Sequence, residues 1–309
     1  AKAVKVLLFD EDDVCLDVVG FDGLTVGNSG GADAGGAGTP EAAVSEAKLV
    51  PEKTKKVFVV INPYADGNKG WNLTADAVKG KPWSVINTAI EAVIANIATD
   101  ENFMMASAGK GTGIEGVLTK VTVHKPTAYT SEAIDQAKTD AQNSPTEISV
   151  DRLSAKVELA VKDIFTTKPD GATFTFGGWE LSVTNKSVKL YSELITYDNA
   201  TTGAVYRRDK NYLKSEQPDI SDNSTMETNM DAAFNYLKNI DSDTDPIPEI
   251  KRDKGTSCYC LENTMDANAQ QLGFTTKVVV KATYTPNGLT PNSSYFSWKG
   301  NYYTLDQLK

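Results

Sequence analysis

Residues 258–264 read Cys-Tyr-Cys-Leu-Glu-Asn-Thr, and residues 275–286 read Thr-Thr-Lys-Val-Val-Val-Lys-Ala-Thr-Tyr-Thr-Pro. In the second segment Val278, Val280, Ala282 and Tyr284 alternate with Lys277, Lys281 and Thr283. A period of two in β-branched and aromatic residues predicts a half-buried strand. Pro286 has no N–H to give a ladder and ends it. Cys258 and Cys260 share a parity opposite to Tyr259 and Leu261, so the first segment also reads as a strand. Two strands around a polar excursion make a hairpin or a long Greek-key return.

The alternation recurs upstream. Phe174, Phe176, Trp179, Leu181 and Val183 form a strand interrupted at Gly177-Gly178, where a bulge or tight bend is expected. Leu153, Ala155, Val157, Leu159 and Val161 are expected inside, with Arg152, Lys156 and Glu158 outside. Val57 to Ile61 is a continuous apolar run, read as a central strand. Residues 3–9 form a strand that turns at Asp10–Asp13 and returns through residues 14–19. The acidic turn lacks the Gly and distal Glu of a calcium loop. Residues 117–123 read as a further strand. One helix is predicted, starting at Pro82 with Ser84 as N-cap and Ile86, Ile90, Val93 and Ile97 on its apolar stripe. A shorter helix is expected within residues 232–240. The fold class is therefore mostly β with one amphipathic helix. Residues 125–146 are polar, and a domain boundary near Pro145 divides the chain into 1–145 and 146–309.

The 309 residues carry a net charge of −10. An acidic chain has no electrostatic reason to hold nucleic acid or anionic lipid. No run approaches the roughly 20 apolar residues of a membrane helix. The chain starts at Ala1 with no apolar leader, which reads as a mature or trimmed product.

Three cysteines cannot all pair within one chain, and Cys258 and Cys260 are poorly placed to pair with each other. They read as buried free thiols. Cys15, Cys258, Cys260 and His124 have the ligand count of a zinc site without its paired spacing, so neither a metal nor a cofactor is expected. Residues 111–116, Gly-Thr-Gly-Ile-Glu-Gly, match the dinucleotide fingerprint in letters only, because a β-rich stretch follows where a helix is required. Asp241, Asp243 and Asp245 alternate like calcium ligands, but Pro246 stands where a Gly is needed. His124 has no second histidine and no Gly-x-Ser-x-Gly elbow to serve. Residues 28–40, rich in Gly and Ala, have the composition of a loop. Asn72, Asn185, Asn199, Asn223 and Asn292 open N-x-Ser/Thr sequons.

The order of these segments resembles a known family. Leu-Leu-Phe-Asp (7–10) leads to Val-Phe-Val-Val-Ile-Asn (57–62), then to Phe-Met-Met-Ala-Ser-Ala-Gly (103–109) and Val-Asp-Arg-Leu-Ser-Ala-Lys-Val (150–157). Trp-Glu-Leu-Ser-Val-Thr-Asn-Lys (179–186), Tyr-Arg-Arg-Asp-Lys-Asn-Tyr (206–212) and the two opening segments follow. Over nearly the whole chain this resembles the fimbrillins of Bacteroidales, the type V pilins, of the short-fimbria major-subunit type. The resemblance implies two tandem transthyretin-like β-sandwich domains, export as a lipoprotein, and removal of an N-terminal strand by a trypsin-like protease. The opened groove would accept a strand from the next subunit by donor-strand exchange, building an outer-membrane-attached fimbria for adhesion and biofilm formation. Its partners would be other fimbrial subunits, accessory, tip or anchor proteins, and host or bacterial surface receptors. The family's last strands have no counterpart after Lys309, so the second domain is expected to be incomplete. Residues Val4, Val6 and Leu8 are expected to border the strand-acceptor groove.

Two other roles compete with the structural one. A tip adhesin or glycan-binding sandwich would use the aromatic hairpin at 295–303, with Trp298, Tyr302 and Tyr303 as a platform. A glycosidase would need two carboxylates at a set separation, and 41 acidic residues make that condition uninformative. No enzymatic activity is expected.

Overall fold

The computed structural model describes residues 3–22, 46–63, 65–66, 69–91, 94–98, 103–109, 116–161, 171–196, 205–208, 230–238, 240, 249–265, 274–290, 296–298 and 301–307. The loop at 28–40, residues 111–115 of the glycine motif, Asp241, Asp243, Asp245, the sequon asparagines 199, 223 and 292, and the Lys299-Gly300 turn lie outside them.

The protein is mostly β, and its strand pairs are antiparallel. Strands β1 (Ala3–Phe9) and β2 (Cys15–Asp22) form the expected hairpin. Its turn is closed by the Asp10 carboxylate, which accepts from Asp12 N at 3.0 Å and Val14 N at 2.9 Å. On its other side β1 pairs with β3 (Lys56–Ile61) from Val4↔Ile61 to Phe9↔Lys56. The far side of β3 is shared end to end by two short strands, β4 (Met105–Ser107) and β5 (Thr119–Lys120). In the gap between them, Val59 N donates to the Ser107 hydroxyl at 2.8 Å. Strand β6 (Val150–Arg152) pairs with β4 and ends the sheet.

Leu7, Phe9, Phe58 and Val60 are fully buried in the core of this sheet. Trp83 packs against Phe58 at 4.4 Å between centroids and edge-on to Phe9 at 5.9 Å. The same core takes in Val188, Leu190, Tyr191 and Leu261. The sheet and its core thus both draw on residues beyond Pro145.

The predicted helix over residues 82–97 is not continuous. Trp83–Ile86 and Ile94–Ile97 are single helical turns, and Ile90–Glu91 between them pairs as a strand with Ser187–Val188. The N-cap is Pro82, without a side-chain bond, rather than Ser84. Val85, Ile86, Thr88 and Ile90 are β-branched and stiff at χ1, which weakens a helix. The pattern did locate core residues, since Ile86 and Ile97 are buried and Ile90 packs on the same cluster. The long helix among the described residues is instead Ser131–Asn143, within the segment read as polar. Thr130 caps it, accepting from Ala133 N at 3.3 Å. Residues 230–233 are helical, but Phe234–Asn235 already pairs with Thr184–Asn185.

The alternating segment from Arg152 to Val161 does not form one strand, because the pairing is divided at Leu153. Its second half, β7 (Ser154–Glu158), pairs with β9 (Ser257–Leu261), and Ser154 is buried while Ala155 is exposed. Strand β8 (Thr173–Ser182) pairs with β10 (Lys277–Thr285). The segments that opened the sequence reading therefore do not form a hairpin with each other, and each returns to an earlier strand.

The β8–β10 register shifts between Phe176 and Gly178, as the glycine pair predicts. The extra residue keeps Phe174, Phe176, Trp179 and Leu181 on one face, opposite Tyr284, Ala282, Val280 and Val278. Gly178 has φ +135°, and a Cβ there would lie 2.8 Å from the Ile250 carbonyl oxygen. The next residue, Trp179, is fully buried, with its N–H bonded to Arg252 O and its indole N–H to Asp253 O, each at 3.0 Å. Arg252 lies over the indole and pairs with Glu180 at 3.2 Å. Gly178→Ala is expected to lower unfolding free energy by about 1–3 kcal/mol in urea denaturation, more than Gly177→Ala. Equal midpoints for Gly178→Ala and the parent would contradict the observed close approach.

Candidate functional site: an open sheet edge beside a cleft

Strand β6 meets β4 with a defined ladder parity. Ala108 N donates to Ser149 O at 2.8 Å, and Leu153 N donates to Met104 O at 3.1 Å. In an antiparallel ladder such bonded positions alternate. Asp151 therefore faces β4, and the N–H and C=O of Val150 and Arg152 point away from it. Among the described residues no strand pairs with that outward side.

A cleft of about 190 Å³ lies beside this strand, between Asp151–Ala155 and Val188–Ser192. Its far wall is fixed by a side chain imitating a strand. Asn87 Nδ2 donates to Tyr191 O, and Tyr191 N donates to Asn87 Oδ1, both at 2.9 Å. Gly109 permits the wall to sit close, since a Cβ there would lie 2.2 Å from the Tyr191 hydroxyl oxygen. On the near wall the Ser154 hydroxyl is buried without a hydrogen-bond partner. Arg152 lies over the Phe103 ring at 4.5 Å, and Phe103 meets Tyr259 edge-on at 5.4 Å. An open backbone edge next to a concavity is suited to holding an extended peptide.

The expected groove residues lie on an inner strand of the sheet. Val4 and Leu8 are buried and Val6 is half-buried, on a strand bonded to β2 and β3 on its two sides. Both sides of β1 are paired, whereas among the described residues β2 and β6, at the two ends of the sheet, each have an outward side that no strand pairs. Nothing local in the sequence marks Asn87 or the parity of Val150 and Arg152, because both depend on distant partners.

The remaining candidates are dispersed. Cys15 lies in the first core, and Cys258 and Cys260 sit on β9 opposite Val157 and Ala155. All three are free thiols. Among the described residues no group of three or more His, Cys, Asp or Glu is placed to hold a metal ion. His124 is half-buried. Asn185 is buried, its amide donating to Glu262 O, whereas Asn72 is exposed and accepts from the Thr74 hydroxyl at 2.9 Å. In the terminal hairpin Phe296 pairs with Tyr303 and Ser297 with Tyr302. The side chains of Trp298 and Tyr302, expected in an aromatic platform, lie outside the described part of the structure.

No family model matches the chain, and no curated protein matches it. Among solved structures it is similar to a candidate cell adhesion protein of Parabacteroides distasonis at 14% identity and TM-score 0.44, over 93% of this chain and 67% of that one. A second from the same organism gives 12% identity and TM-score 0.39, over 98% and 82%. One from Bacteroides eggerthii gives 14% and 0.38, over 94% and 69%.

Two outcomes are expected from this geometry. Asn87→Ala removes both hydrogen bonds to the Tyr191 backbone and should destabilise the fold by about 1–3 kcal/mol, read from the denaturation midpoint. Burial pushes the Cys15 thiol up to about 11, from an ordinary value of 9.0. The folded chain keeps that proton after the unfolded chain has lost it, so its contribution is complete below about pH 9 and is lost as pH rises toward about 11. Cys15→Ala should remove this part of the stability decline between pH 9 and 11, and an identical slope in both proteins would contradict it.

Proposed function

We propose that the chain is a non-catalytic structural subunit of a bacterial cell-surface fimbria, which assembles by taking an extended strand of another subunit at the β6 edge. The observation that carries this reading is the unpaired outward side of Val150 and Arg152 beside the cleft. Unpaired edges in stable proteins are normally covered or blunted, because they template association. Strand addition there gives affinity through ladder bonds and specificity through alternate side chains seated in the cleft. The resemblance in segment order to the fimbrillins supplies the setting: two transthyretin-like sandwiches, export as a lipoprotein precursor, proteolytic activation, and a role in adhesion and biofilm formation. The partners are further fimbrial subunits, including accessory, tip or anchor proteins, with surface receptors at the assembled fimbria.

The test uses size-exclusion chromatography and negative-stain microscopy on the precursor before and after limited trypsin. Filaments or ladders are expected only after cleavage. Arg152→Pro removes an outward N–H without removing a β4 bond, so it should fold and fail to assemble. Asp151→Pro removes an inward bond and should destabilise the fold itself. Filaments of normal yield from folded Arg152→Pro would overturn the placement of the edge. A cleaved parent chain that stays monomeric and folded would overturn the polymerising role.

A further inference from the structure

No further inference is drawn: the strongest candidate, the apolar face of the two-stranded β8–β10 ribbon where Val278 and Val280 are 47% and 46% exposed, carries none because nothing in the structure shows what covers it.

Discussion

The pairing of β1 with β3 is the constraint on which the rest of the described structure depends. It is formed by six consecutive register positions, and both strands are apolar enough to be buried along most of their length. Leu7 faces Phe58 across it, and neither side chain touches solvent. Burying one such side chain contributes about 1.5–3 kcal/mol. Trp83 then closes over Phe58 and Phe9, which brings the 80–83 segment back to the hairpin through Cys15 N to Lys81 O and Gly80 N to Cys15 O. The opposite side of β3 receives β4, and only through β4 does β6 acquire its position and its open side.

What was legible in the sequence was what is local. The Ala3–Phe9 strand, its acidic turn, the central Val57–Ile61 run and the Gly177-Gly178 bulge were all readable from period and turn chemistry. The change of parity between Phe176 and Trp179 has one simple remedy, an extra residue, and the bulge supplies it. The 83–97 segment shows the opposite case. Its apolar spacing suits a helix, yet Asn87 is held by the Tyr191 backbone and the Thr88 carbonyl accepts from the Trp71 indole at 3.1 Å. Those distant partners override a weak local preference. Ser131–Asn143 was missed because only Ala137 of that helix is buried, so no apolar stripe announced it. Ala and Gln content and the Thr130 cap were the available signals.

The candidate site was less legible than the fold, for a physical reason. An open edge is defined by which strand is missing beside it, and pairing between Met105–Ser107 and Val150–Arg152 cannot be read from either segment alone. The first expectation put the acceptor groove at Val4, Val6 and Leu8, since a strong strand near the chain start invites it. Strand β1 is paired on both sides, so the unpaired backbone edges of this sheet lie at its terminal strands, and the edge beside the cleft is the one proposed for strand addition. In the proposed strand addition, backbone groups would supply affinity that is largely indifferent to sequence, and the neighbouring cleft would supply selection. Such a division suits repeated association of like subunits better than recognition of one small ligand.

The most direct measurement is residue-resolved amide hydrogen exchange at β6, in the isolated chain and in assembled material. In the isolated chain, Asp151 and Leu153 should exchange slowly, and Val150 and Arg152 quickly, because only the first two face β4. On assembly Val150 and Arg152 should become as protected as their neighbours. Protection of all four amides in the isolated chain, or no change at Val150 and Arg152 on assembly, would contradict strand addition at this edge.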